Sequence, residues 1–177
     1  TGKSAPEPHP PEGDIRKIHI KEKSMREDYL ISIVGKQNVD GETGEITLTT
    51  LGSYITKGNS RFIVYKEYDA ESSRAPVTSV LKVEGNDTVT LMRGGSGHTR
   101  LILEKGKRHQ CRYETDFGSM MVGIFTSSVH SRLHEKGGEL EVNYTLDINS
   151  DLSSINEIFV TVKEANSKDV KTSTAGN

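Results

Sequence analysis

No stretch of this chain sustains the three-and-four spacing of apolar residues that an amphipathic helix needs. Apolar residues recur instead at every second position, in short runs cut by turn-forming residues. That feature excludes βαβ units and the nucleotide crevices they build, and leaves an antiparallel, all-β fold. The runs are "YLISIVGKQ", "ITLTTLGSYIT", "RFIVYKEYD", "VTSVLKV", "TVTLMR", "HTRLILE", "KRHQCRYET", "SMMVGIFTSSVHSRL", "ELEVNYTLDIN" and "SSINEIFVTVKEA". "VDGETGE", "KGNS", "EGND", "GGSG", "KG", "DFG" and "EKGG" supply turns between them. The connection "YDAESSRAP" is longer than a hairpin needs and suits a cover over one end. A meander of this kind loses its exposed edges most simply by closing into a barrel, here of about eight to ten strands. "ELEVNYTLDIN" shows the pattern cleanly: Leu140, Val142, Tyr144, Leu146 and Ile148 share one face, and polar residues take the other.

Composition agrees with a sheet that keeps one face wet. Only 32% of the 177 residues are hydrophobic and 6% aromatic, with no tryptophan, which suits one domain with a modest core. A net charge of −2 and a pI near 6.3 disfavour nucleic acid and anionic membranes as partners. One cysteine rules out an internal disulfide and favours a reducing cytoplasm. No apolar run approaches the roughly 18 residues of a membrane helix, and the N-terminus lacks a signal-peptide pattern. Four of the five prolines stand at positions 6, 8, 10 and 11. Residues 1–25 are therefore expected to be a flexible, proline-rich extension, although "IRKIHI" alternates weakly enough to add an edge strand. The barrel is expected over 26–165, with a frayed tail over 166–177.

The stretch "GKRHQCRYETDFGSMMVGIFT" carries the chain's only cysteine and poses the functional question. As a strand it sends His109, Cys111, Tyr113 and Thr115 to one face, and Arg108, Gln110 and Arg112 to the other. His109 and Cys111, roughly 6.6 Å apart along a strand, could share a metal. Zinc, however, normally takes three or more protein ligands, and only His130 and His134, toward the rim, are at hand. No metal and no cofactor are expected. A Cys–His nucleophile needs its imidazole aimed at the thiol, whereas neighbours on one strand point alike. "RGGSGH" lacks the Lys-Ser/Thr of a phosphate loop. The residues lean against an enzyme.

Two charge blocks stand out. Arg93 to Arg112 holds an excess of five positive charges, while Gly137 to Val160 has five acids and no Lys or Arg. Cross-strand pairing between outer faces accounts for them more simply than an anionic partner does. The inner face is less ordinary. Buried His109 and Tyr113 each need a polar partner, at roughly 1–3 kcal/mol if left without one. Met120, Met121 and Phe125 are expected to add adaptable apolar surface nearby, and Gly118 and Gly123 to free volume. His109, Cys111, Tyr113, Thr115, Met121 and Phe125 are thus the expected ligand-lining residues of a barrel interior.

The segments "TSVLKVEGNDTVTLMRGG", "GKRHQCRYETDFGSMMVGIFT" and "GGELEVNYTLDIN" resemble the bacterial YwiB-like family, a domain of unknown function, from about Asp28 to Ala165. The resemblance implies a calycin (lipocalin-like) β-barrel with an interior and a cytoplasmic bacterial origin. It implies no activity, because fold alone does not supply one. The expected role is non-catalytic binding of a small, partly apolar ligand inside the barrel. A protein-interaction or structural module with a filled barrel is the alternative, and an enzyme using the His109, Cys111 and Tyr113 face comes third. A homo-oligomer is compatible with this reading.

Overall fold

The computed structural model describes residues 26–68, 75–94, 99–115 and 118–166, except for the side chains of Glu114 and Thr115. The expected extension over 1–25, with its "IRKIHI" edge strand, lies outside the described residues. So do most of "YDAESSRAP", the "GGSG" turn and the tail beyond Asn166.

The alternating runs become ten strands: β1 (Tyr29–Val39), β2 (Glu42–Lys57), β3 (Ser60–Glu67), β4 (Val77–Glu84), β5 (Thr88–Arg93), β6 (Thr99–Glu104), β7 (Arg108–Thr115), β8 (Gly118–Ser131), β9 (Gly137–Ile148) and β10 (Asp151–Glu164). "VDGETGE", expected as a loop, is mostly strand. Asp40 and Gly41 take positive φ values of 51° and 86° and make a two-residue turn, so pairing resumes at Glu42. Primed two-residue turns match the twist of the strands they join, which explains why the hairpin is this tight.

All ten strands form one antiparallel sheet in the order β6-β5-β4-β3-β2-β1-β10-β9-β8-β7, and the sheet curls into a nearly closed barrel. The first and last strands of the chain, β1 and β10, pair mid-sheet along ten residues, from Tyr29 opposite Glu164 to Asn38 opposite Ile155. The expected meander is broken at one place. β6 and β7 follow each other in the chain, yet among the described residues β6 pairs only with β5 and β7 only with β8. Their turn is stapled elsewhere. Lys105 N donates to Asp87 O at 2.8 Å, and Gly106 N to Thr126 O at 2.8 Å. A turn docked on β8, rather than a ladder, is what draws the two ends of the sheet together.

The inward side chains pack into one core. Ile31, Ile63, Val83, Val89, Ile124, Val129, Leu140, Val142, Val160 and Val162 are each under 2% exposed. One end of the barrel is closed by the segment between β8 and β9. The Tyr54 hydroxyl donates to the His134 carbonyl at 2.7 Å, and the Tyr29 ring tilts against Tyr54 with centroids 5.4 Å apart. Gly137 and Gly138 make that approach feasible, since a Cβ on either would run into backbone, of Val162 and of Arg132 respectively. The expected parity of β7 and β9 holds, but that of Met121, Gly123 and Phe125 does not. All three lie on the outer face, because Ile124 and Val122 take the inner positions of β8 opposite His109 and Cys111.

Candidate functional site

At the unpaired seam between β6 and β7 the inner face is only partly covered. Leu101 on β6, Cys111 on β7 and Met120 on β8 are half-buried against the core. Tyr113, opposite Met120, is 36% exposed, which corrects the expectation that it is buried. At the base of the seam His109 Nε2 lies 2.7 Å from Glu104 Oε2, while the other oxygen of Glu104 accepts from Lys107 Nζ at 2.5 Å. Those two hydrogen bonds, from Lys107 first and His109 second, hold the Glu104 carboxyl below its ordinary pKa. The Cys111 thiol is pushed up by burial, so it is a protonated, weakly nucleophilic group at neutral pH. Just below, Thr126 is fully buried at a β-bulge and its Oγ1 has no hydrogen-bond partner. An unpaired buried hydroxyl costs roughly 1–3 kcal/mol. Among the described residues, no three His, Cys, Asp or Glu side chains lie close enough to hold a metal ion.

The six residues expected to line a ligand site are therefore divided. His109, Cys111 and Tyr113 share the inner face of β7 at the seam. The backbone of Thr115 pairs with Gly118 at the far end of β7, and its side chain lies outside the described residues. Met121 and Phe125, at 45% and 41% exposed, point to solvent and correct the expectation of an inner position. Residues that sequence reasoning missed are Glu104 and Thr126. Neither carries a signal in the sequence, since a lone acid beside a "KG" turn and a threonine in a long strand are commonplace.

The two charge blocks meet on the outside. Arg108 holds Asp147 through two hydrogen bonds, Nε to Oδ2 at 3.0 Å and Nη2 to Oδ1 at 2.6 Å. The pair spans β8 because Gly123 lies beneath it, and a Cβ there would meet both the guanidinium and the carboxylate. Arg108 keeps the Asp147 carboxyl below its usual range. The sign for stability follows. A depressed carboxyl binds fewer protons folded than unfolded, so its contribution is present above an ordinary pKa of about 4 and lost as pH falls through the folded value. Urea midpoints should thus fall on acidification below about pH 5, and Asp147→Asn should make that acid limb shallower. An acid limb unchanged in Asp147→Asn would mean that the pair is not formed in solution.

A second concavity, of about 650 Å³, opens on the outer side between Asn86, Lys105, His130, Arg132, Glu139 and Phe159. It is large enough for a small molecule, but its lining is mostly polar or charged and part of it is spent on internal contacts. Arg132 pairs with Glu139, and Asn86 Oδ1 accepts from Ser131 N. The seam is the better candidate.

Fold and site together define an antiparallel ten-stranded β-barrel protein with a packed core and one open seam. Residues 31–160 match the family described as "Domain of unknown function (DUF1934)", and the chain belongs to that family. It is 25% identical over 122 residues to the uncharacterized beta-barrel protein YwiB of Bacillus subtilis (strain 168), covering 69% of this chain and 83% of that protein. The crystal structure of the ywiB protein from Bacillus subtilis superposes with a TM-score of 0.67 at 22% identity, covering 83% of this chain and 99% of that one. This likeness supports the barrel. Among the described residues, no helix is long and apolar enough to cross a membrane.

Proposed function

We propose that the chain is a non-catalytic binding protein that takes a small, partly apolar molecule at the β6–β7 seam. The observation that carries this reading is a pair of strand edges with no ladder between them, flanked by partly open apolar side chains. Ten core side chains are under 2% exposed, whereas Leu101, Cys111, Met120 and Tyr113 stay partly open beside two strand edges. Soft, polarizable sulfur atoms next to a tyrosine make an adaptable apolar surface. Catalysis is disfavoured because burial raises the Cys111 thiol in pKa, and because the His109 ring bonds Glu104 with no hydrogen bond to that thiol. The lipocalin-like comparison then applies to the architecture, with the ligand at an open flank rather than in a deep cup. A single unpaired thiol suits a reducing cytoplasm.

The test is native mass spectrometry of protein isolated from its own host, combined with labelling of Cys111 by a bulky maleimide. A retained small molecule is expected, with Cys111 labelling faster once it is stripped by partial denaturation and refolding. Protein that carries nothing, with a labelling rate unchanged by that treatment, would overturn the reading.

A protein-interaction role is the second reading, favoured by one observation. Met121, Phe125, Leu152 and Ile155 form an exposed apolar row on the outer face, around the Arg108–Asp147 pair. Methionine, aromatic and arginine side chains are the types enriched at interfaces.

A further inference from the structure

We propose that β2 carries a self-association edge, through which two copies of this chain join by antiparallel pairing centred on Ile46. β2 pairs with β1 from Glu42 to Gly52, but with β3 only from Gly52 to Lys57. Among the described residues nothing pairs with the second edge of Glu42–Leu51. Six consecutive residues, Glu42 to Thr47, are exposed, so nothing covers either face. Ile46 is 78% exposed because its neighbour on β1 is Gly35, which offers it no side chain.

Exposed strand edges template pairing, and proteins usually guard them with charged side chains, lysine above all, or with proline. The edges of β6 and β7 carry such basic residues, Arg100 and Arg112. The β2 edge "ETGEITLTTL" has only two acids, Glu42 and Glu45, with no lysine, arginine or proline, and is rich in β-branched residues. A second copy is the occupant that this edge fits. About a two-fold axis at Ile46, Thr43 faces Thr49, Gly44 faces Leu48, Glu45 faces Thr47, and Ile46 faces its own copy. No like charges stand directly opposite each other, and the two Glu45 side chains are diagonal neighbours. Thr43, Glu45, Thr47 and Thr49 share one face and pair as hydroxyl and carboxylate partners. Gly44, Ile46 and Leu48 share the other, and across the axis they make one apolar stripe. A C2 contact of this kind closes on itself and does not propagate. A seven-residue ladder is smaller than the ~800 Å² per partner of a standard interface, so the dimer should be weak and concentration-dependent.

Sedimentation of the full chain should show a weight-average mass rising from one chain toward two between about 1 µM and about 500 µM, the range of a small interface. Ile46→Lys, at an exposed position, should keep the wild-type circular dichroism and melting curve and stay at one chain throughout. Under mild oxidation Ile46→Cys should form a covalent dimer mapped by peptide mass spectrometry to a 46–46 bridge. Thr43→Cys should not, since its counterpart would lie six residues, roughly 20 Å, along the ladder. A wild-type chain that stays monomeric at the highest concentration overturns the proposal, including the case where amide exchange finds Glu42–Leu51 protected by another part of the same chain. So does a dimer that persists in Ile46→Lys, or cross-linking that is equal at positions 43 and 46.

Discussion

Replacing Gly138 by alanine is expected to destabilise the barrel by about 2–6 kcal/mol, the sum of two separate costs. Gly138 has φ of +128°, a conformation that side-chain-bearing residues rarely adopt, and strain of this kind is worth roughly 1–3 kcal/mol. Its Cβ would also strike the Arg132 carbonyl, which is backbone and cannot turn aside as a flexible side chain would; over-packing of this sort adds about 1–3 kcal/mol. Relief requires the segment between β8 and β9 to lift, which takes the His134 carbonyl away from the Tyr54 hydroxyl. Gly41 provides the control. It too has a positive φ, but nothing lies within 4 Å of an added Cβ, and Gly41→Asn should cost less than about 1 kcal/mol because asparagine tolerates the left-handed region. Chemical denaturation of both variants checks this. A Gly138→Ala midpoint within error of wild type would mean that the closed end of the barrel is loose in solution.

Ile124→Ala should cost about 2–5 kcal/mol, while Phe125→Ala, one residue along, should cost about 1 kcal/mol or less. Ile124 is 1% exposed and packs in the core beside Val122 and Val129, so truncation leaves a cavity that rigid neighbouring strands cannot fill. Phe125 has the larger ring but stands on the wet face. Residue size and hydrophobicity alone rank these two the other way. Guanidinium unfolding of the two variants therefore reads strand parity directly, and the opposite order would turn β8 inside out.

Much of the fold could be read from the period-two pattern, because a strand whose polar residues all fall on one side has only one sensible orientation. β9 is the clearest case: Leu140 and Val142 are buried, and Asp147 is left outside to meet Arg108. β8 shows why the reading fails elsewhere. "SMMVGIF" is apolar at nearly every position, so alternation cannot choose a face, and the choice falls to pairing with β7 and β9. Gly123 misled for a related reason. A glycine in a strand signals that something comes close, without saying from which side, and here the guest is the Arg108–Asp147 pair outside rather than a ligand inside. The seam was illegible on other grounds. "EKGKR" reads as an ordinary hairpin turn, and only the tertiary docking of Lys105 and Gly106 against Asp87 and Thr126 shows that its two strands do not pair. Hence His109, Cys111 and Tyr113 could be placed on one face, but the gap that exposes them could not.

The pairing of β1 with β10 has a consequence for how the chain can fold. Every other ladder in the sheet joins strands adjacent in the chain, so each forms by closing a short loop. The β1–β10 ladder must bring together residues as far apart as Tyr29 and Glu164, at the greatest loop-closure entropy the domain can demand. Two independent meanders, β1 to β6 and β7 to β10, can thus assemble early and then wait on one late docking event. Arg26 and Asn166, where the described chain enters and leaves, lie beside this late ladder. If those ends were linked and the chain reopened at Gly106, the order β7-β8-β9-β10-β1-β2-β3-β4-β5-β6 would run straight along the sheet. Such a circular permutant would keep every ladder while making all of them local. In topological terms, the natural chain is an uninterrupted ten-strand ribbon whose start has been moved to its middle.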